Sequence, residues 1–194
     1  MKLRRGFKTF AEGLAIHVRS AIDLTAYDPL DPRNLAQEMG IPVMSLRDLA
    51  GAGVSEKSLR RFTHEAPGDF SALTVVLGEY RLIVENSAHF RGRRTNSVAH
   101  ELSHVLLGHD PSRSTVCDGG RLWDRQQEGE ADWLAGELLI PRKAALRIAR
   151  NAIGDTAAAE HYGVSVPLVR WRLDHSGARI QARRERERRR SKHR

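Results

Sequence analysis

Apolar residues recur at two different periods along the chain, and the change of period separates helices from strands. Between residues 7 and 23 they follow one another at spacings of three and four, as on the buried face of an amphipathic helix: Phe7, Phe10, Ala11, Leu14, Ala15, Val18 and Ile22. Segments 72–78 and 80–86 are instead rich in β-branched residues and meet at Gly78 and Glu79. This second pattern predicts a tight antiparallel hairpin.

Shorter elements are predicted between the first helix and the hairpin. Pro32 suits the first turn of a short helix that ends at Gly40. Residues 41–46 are typical of a short strand, and Ser55 can cap one or two helical turns up to Arg61. Together these elements predict an α+β fold, in which a small antiparallel sheet has helices on both flanks.

The helix that follows the hairpin carries the first chemical motif, HELSH, and is predicted from about Thr95 to Leu107. At about 100° per residue, His104 lies only about 40° around the helix from His100, so both imidazoles can reach one ion. Glu101 lies on the flank, where its carboxylate can hydrogen-bond a water without binding the metal. The motif therefore predicts a zinc site with Glu101 as the catalytic base.

A later helix of about 14 residues, ending at Ile140, offers a third ligand. Catalytic zinc usually takes three protein ligands. Glu128 and Asp132 share a helix face with alanines that would allow close approach to the HELSH helix. Glu128 is the predicted ligand, and Asp132 is the expected acceptor for the second ring nitrogen of a ligand histidine. Glu130 and Glu137 fall on the opposite side, where solvated carboxylates are expected.

Other interpretations of the motif stay open. His109 is a rival third ligand, since some zinc peptidases add a histidine about ten residues after the first, although a continued helix would point it about 180° away from His100. Asp110, in a polar stretch predicted to be a loop up to Asp124, is a weaker rival. A simpler alternative is that hydrogen bonds in the core satisfy both HELSH histidines without a metal.

Two further helices are predicted over residues 155–173, with a turn at Gly163 and a cap at Ser165. This is a helix-turn-helix pattern, in which Arg170 and Arg172 could contact phosphates if the second helix entered a groove. The alternative is that the apolar residues of the pair close the core: Val164, Leu168, Val169 and Leu173.

The net charge of +8 and the pI near 10.3 favour a nucleic-acid partner, but the charge is unevenly placed. Residues 179–194 hold nine Lys or Arg against two Glu, which accounts for +7 of the total of +8. So polar a run is expected to be a frayed helix or disordered. It could contact nucleic acid weakly and without sequence preference, or simply be a solvated tail.

Composition places the protein among ordinary globular chains, with 40% hydrophobic and 29% charged residues. No segment approaches the roughly 18 apolar residues of a membrane span, and the start lacks the apolar core of a secretory signal. The expected location is the cytoplasm, without a membrane partner. The single cysteine, Cys117, cannot form an internal disulfide and is expected to be an incidental loop residue.

HELSH, preceded by the hairpin and followed by E-x-E-A-D-x-x-A and LLIP, resembles the ImmA/IrrE family of metallopeptidases over roughly residues 10–150. The resemblance implies a zincin-like, gluzincin-type domain with His100, His104 and Glu128 as zinc ligands and Glu101 as the base. It also implies limited cleavage of a helix-turn-helix transcriptional repressor, often one tied to a stress response.

We therefore predict a zinc metallo-endopeptidase in three segments: a peptidase domain over residues 1–150, a helix-turn-helix-like segment over 151–177, and a basic, disordered tail over 178–194. Strand 80–86 is expected to pair with an extended substrate. Two alternatives remain, a DNA-binding transcriptional regulator with a vestigial metal site and a protein whose zinc is purely structural.

Overall fold

The computed structural model describes residues 3–51, 53–109, 116–117, 120–121 and 124–192. The helices are α1 (Phe7–Ala21), α2 (Pro32–Glu38), α3 (Glu56–Arg60), α4 (Arg91–Leu106), α5 (Arg125–Leu139), α6 (Arg142–Arg150), α7 (Asp155–Tyr162), α8 (Val166–His175) and α9 (Ala178–Lys192). The strands are β1 (Val43–Ser45), β2 (Ala72–Leu77), β3 (Tyr80–Glu85), β4 (Val116–Cys117) and β5 (Gly120–Arg121). Short 3₁₀ segments lie at Leu46–Gly51 and Pro67–Asp69, and a π-type turn lies at Arg61–Glu65.

The main sheet confirms the α+β prediction but is mixed rather than wholly antiparallel. Its strand order is β1-β3-β2. Strands β2 and β3 form the predicted hairpin, with Thr74 opposite Ile83, and Gly78 adopts the positive φ of 62° that the turn requires. Strand β1 joins the other side of β3 in parallel, with Val43 opposite Ile83. Three residues carry no signal of strand direction, so the sequence could not predict this pairing.

Helix α5 lies at the centre of the core, between α4 on one side and α1 on the other. Nearly all of its residues from Gly129 to Leu139 are buried as a result. The prediction that Glu130 and Glu137 are solvated carboxylates is therefore wrong, since each is only 2% exposed. A helical wheel alone predicts one buried and one exposed face, whereas both faces of α5 are covered by other helices.

Helix α4 begins four residues before the predicted start and ends in a Schellman motif. Gly108 takes a φ of 64°, which favours glycine, and its N–H donates to Val105 O at 3.1 Å. The N–H of His109 donates to His104 O at 3.0 Å. The chain therefore reverses directly after α4, and His109 returns over the last helical turn.

The predicted helix pair α7–α8 is present, but it belongs to the core. Ser165 caps α8 by accepting from Leu168 N at 3.2 Å. A Cβ added at Gly92, in the first turn of α4, would lie 2.6 Å from the carbonyl carbon of Val164, so α4 contacts the turn of the pair backbone to backbone. The helix pair is thus packed directly on the helix that carries HELSH.

Arg172 is fully buried, which excludes it from contact with phosphates, one of the two interpretations of this helix pair. Its Nε donates to Ile140 O at 2.9 Å, and its guanidinium forms an ion pair with Glu137. Arg170 remains at the surface and pairs with Asp155 at 3.0 Å. The side of α8 that carries Arg172 therefore closes the core, as the alternative interpretation of this pair expected.

The basic tail, predicted to be either a frayed helix or disordered, is helical over Ala178–Lys192. Ala178 and Ala182 are buried, and α9 packs against α6. Glu185 accepts from Arg150 at 2.7 and 2.8 Å, which ties the two helices together. Small residues one turn apart allow two helices to approach closely, so this polar helix docks without a wide apolar stripe.

Part of the polar stretch after α4 lies outside the described residues, including Asp110. Within it, β4 and β5 form a short antiparallel ladder, and the backbone of Cys117 belongs to β4 rather than to a loop. Among the helices of the described chain, none is both long and apolar enough to cross a membrane.

Candidate metal centre

Two histidines on one face of α4 form the first part of the candidate site. His100 and His104 are one turn apart, and their ring centroids are separated by 4.7 Å. Their Nε2 atoms lie 3.0 Å from each other. The imidazoles therefore converge on one point beside the helix, as the HELSH spacing predicted.

Glu128 brings a carboxylate to the same point from the first turn of α5. This helix begins at a defined place because the side chain of Asp124 accepts from the N–H groups of Gln126 and Gln127. Glu128 Oε2 lies 3.2 Å from His100 Nε2, and Oε1 lies 3.5 Å from His104 Nε2.

The three side chains have the spacing of a metal-ligand set. One ligand atom from each of His100, His104 and Glu128 lies within 4.8 Å of the other two. Zinc binds such atoms at about 2.0–2.2 Å in tetrahedral geometry, which separates neighbouring ligand atoms by about 3.3 Å. The separations of 3.0, 3.2 and 3.5 Å are close to that value, and the last two run to the two different oxygens of Glu128. The donor set of two imidazoles and one carboxylate also suits zinc.

The pKa values of two members of the cluster are shifted in opposite directions. Burial lowers the pKa of His100, but hydrogen bonds to Asp132 and Glu128 outweigh burial and raise the pKa to about 10. Burial raises the pKa of Glu128, but hydrogen bonds from His100 and His104 outweigh it and lower the pKa to about 2. The cluster therefore favours a positive charge at its centre, whether a proton or a metal ion.

The second ring nitrogen of each histidine faces away from the cluster and has its own neighbour. His100 Nδ1 lies 2.9 Å from Asp132 Oδ1, the contact that the helix spacing predicted for Asp132. His104 Nδ1 lies 2.9 Å from His109 Nδ1. His109 thus lies behind His104 rather than across the cluster from it, a position that does not suit a third ligand.

Glu101 points toward the sheet rather than into the ligand set. Its Oε2 accepts from Thr74 Oγ1 at 2.7 Å, so β2 holds this carboxylate in place. Its negative charge is among those that raise the pKa of His100, which places it close to the cluster. Strand β3 pairs with β2 along its whole length and with β1 over residues 83–85, so these three residues are closed to the predicted pairing of strand 80–86 with a substrate. Strand β2 forms one edge of the sheet.

Two contacts around these side chains, those of Thr74 with Glu101 and of His109 with His104, were not predicted from the sequence. No local pattern shows which residue of β2 faces α4, so Thr74 could not be assigned. The position of His109 did have a signal. In a Schellman motif the second residue after the helix end contacts the residue five positions earlier, and Gly108 marks such a motif here. That rule would have placed His109 against His104.

The protein is organised around a candidate metal site. Two histidines of one helix and a carboxylate of the next core helix form this site, beside a small sheet. The chain matches the family model Peptidase_M78, described as the IrrE N-terminal-like domain, over residues 36–174. It belongs to this peptidase family, which confirms the resemblance seen in the motifs. The match includes α7 and most of α8, in agreement with their place in the core. A comparison with curated proteins found no match.

Proposed function

We propose that this protein is a zinc-dependent metallo-endopeptidase in which His100, His104 and Glu128 hold the metal and Glu101 is the catalytic base. The observation that carries the proposal is the convergence of one ligand atom from each of His100, His104 and Glu128 within 4.8 Å of one another, as a single zinc ion requires. Membership of a peptidase family supports the reaction type.

The chemistry divides between the ion and the protein. Zinc held by three protein ligands supplies Lewis acidity, which acidifies water and polarises a peptide carbonyl. Glu101 takes the proton of the attacking water as the oxygen–carbon bond forms, and it gives that proton to the leaving amine as the carbon–nitrogen bond breaks. Thr74 fixes the Glu101 carboxylate by its 2.7 Å hydrogen bond. Asp132 orients His100 through the second ring nitrogen.

The proposed substrate is a protein segment in extended conformation. Strand β2 is the edge of the main sheet and carries Thr74 beside Glu101, so an extended chain paired with this edge would pass the catalytic base. The family resemblance supports a helix-turn-helix transcriptional repressor as the substrate, cut at a limited number of sites in the cytoplasm. A requirement that the cut segment pair with this edge of the sheet agrees with limited rather than general proteolysis.

A DNA-binding regulator is the alternative function, and the position of Arg172 argues against it. A recognition helix needs side chains that reach a groove, whereas Arg172 is buried against Glu137 and Arg170 is paired with Asp155. The arginines of α9 are compatible with weak binding of nucleic acid. Such binding would be insensitive to nucleotide sequence and sensitive to salt.

The test combines metal content with turnover. Protein purified without added metal should contain one zinc per chain, and His100→Ala and Glu128→Ala should lose it. Glu101→Gln should keep the zinc and lose about 10²–10⁴-fold in turnover of a co-incubated repressor, because the amide cannot accept a proton. Glu38→Gln, which changes an exposed carboxylate at the end of α2, is the matched control and should match the wild type.

Two results would contradict the proposal. One is a wild-type protein that takes up no metal even after zinc is added. The other is equal loss of zinc from Glu101→Gln and Glu128→Ala, which would mean that the base and the ligand have been exchanged.

A further inference from the structure

His109 returns to the metal cluster through the backbone geometry of the α4 terminus. The Schellman motif bonds His109 N–H to His104 O, so its side chain lies against the residue that ends the HELSH motif. The two rings meet edge to face, with centroids 5.0 Å apart. Their Nδ1 atoms are 2.9 Å apart. This contact involves His104 Nδ1, the ring nitrogen that remains available when Nε2 faces the cluster.

The hydrogen-bonding capacity of the two rings permits only one arrangement of protons in the metal-bound state. A neutral imidazole has one donor and one acceptor nitrogen. If Nε2 of His104 binds the metal, Nδ1 carries the proton and donates to His109 Nδ1. His109 must then carry its own proton on Nε2, which lies 3.8 Å from Glu130 Oε2.

Glu130 is the last residue in the series of contacts that runs from His104 through His109. Its side chain is only 3% exposed, although a buried carboxylate is costly unless it is paired. Glu130 Oε1 accepts from Arg4 N–H at 3.2 Å and from Gln126 Nε2 at 3.3 Å, and Oε2 lies 3.8 Å from both His109 Nε2 and Arg4 Nε. The negative charge of Glu130 favours a proton on His109 Nε2, the same arrangement that metal binding by His104 requires.

The two histidines of HELSH therefore differ in what supports them. His100 is backed by Asp132, whose side chain is 57% exposed to solvent. His104 is backed by His109, which is 9% exposed, and then by Glu130. The contact behind His104 is shielded from water, whereas the contact behind His100 is open to it.

We propose that His109 and Glu130 are positioning residues that hold His104 in the tautomer and orientation required for metal binding. This inference rests on the proposed function, because it assigns a role toward the same ion. Neither residue touches the ion or the substrate. Their effect is on the affinity of the metal rather than on the proton transfers of Glu101.

The test is the zinc affinity of purified variants, measured by competition with a chromogenic chelator. His109→Leu removes the acceptor at similar volume and should weaken zinc binding about 10–100-fold. His109→Asn places an amide oxygen near the former Nδ1, so it should restore affinity to within a few-fold of wild type. Glu130→Gln removes the charge behind His109 and should weaken binding about tenfold. Urea unfolding of the metal-free variants shows whether each is folded.

Glu137→Gln is the matched control, because it neutralises another buried carboxylate of α5, paired with Arg172 instead of His109. It should leave zinc affinity unchanged even if it lowers stability. Unchanged affinity in folded His109→Leu would overturn the inference. Equal weakening by His109→Asn and His109→Leu would also overturn it, since that pattern is expected of a direct ligand. A wild type that binds no zinc would instead refute the proposed function, and this inference with it.

Discussion

Replacing Gly92 with alanine should destabilise the protein, although alanine is the better helix former. Gly92 lies in the first turn of α4, where an added Cβ would be 2.6 Å from the carbonyl carbon of Val164 and 2.8 Å from Ser165 N. Both are backbone atoms of the turn between α7 and α8. A side-chain rotation cannot relieve the overlap, so α4 and the helix pair would have to move apart.

The expected loss can be worked out from two opposing terms. Alanine is favoured over glycine within a helix by up to about 1 kcal/mol. Overpacking of a close-packed region typically costs about 1–3 kcal/mol, and an approach of 2.6 Å belongs at the upper end. The free energy of unfolding should therefore fall by about 2 kcal/mol.

The assay is urea unfolding followed by tryptophan fluorescence. Gly13→Ala is the matched control, because Gly13 also lies in a helix but an added Cβ there would meet nothing within 4 Å. It should raise the free energy of unfolding by up to about 1 kcal/mol. If Gly92→Ala stabilised the protein as Gly13→Ala does, α4 would not abut the α7–α8 turn, and the helix pair would not belong to the peptidase core.

Two further predictions concern single hydrogen-bonding side chains. Thr74→Val removes the donor to Glu101, so turnover should fall about tenfold or more while zinc content stays that of the wild type; loss of zinc would show that Thr74 acts on the ligands instead. Burial raises the pKa of Asp155, but hydrogen bonds from Arg170 and Arg179 outweigh it and lower the pKa. A lowered pKa contributes stability that is fully present above the ordinary pKa and is lost as the pH falls through the folded pKa. Asp155→Asn should therefore reduce the free energy of unfolding at pH 7, and the difference should shrink progressively as the pH falls below about 4. A difference that persisted in acid, measured by urea unfolding at both pH values, would contradict this.

Helical periodicity predicted the features that depend on the geometry of a single element. His100 and His104 share a face because of the α-helical repeat alone. The turn at Gly163 and the cap at Ser165 are likewise local, and the structure confirms both helices. The meeting of Glu128 with the two histidines required only that alanines allow two helices to approach.

The parts that the sequence did not predict depend on what covers an element from outside. Glu137 was expected in solvent because helix periodicity cannot show that α1 and α8 close over that side of α5. The burial of Arg172 could not be predicted for the same reason, and the ion pair of its guanidinium with the Glu137 carboxylate explains why both charges are buried. The parallel pairing of β1 depends on contacts distant along the chain, which three residues cannot encode.

The three glutamates of α5 also determine how far this helix can vary in length. Glu128 faces the two histidines, Glu130 is held beside His109, and Glu137 is paired with Arg172, so each carboxylate has a partner in a different direction. An inserted residue between them would turn one part of the helix by about 100° relative to the other and leave a buried charge without its partner, at several kcal/mol. The interval from 128 to 137 therefore has a fixed length. Its larger apolar residues can be exchanged for others of similar size, but insertions and deletions within the interval are not tolerated.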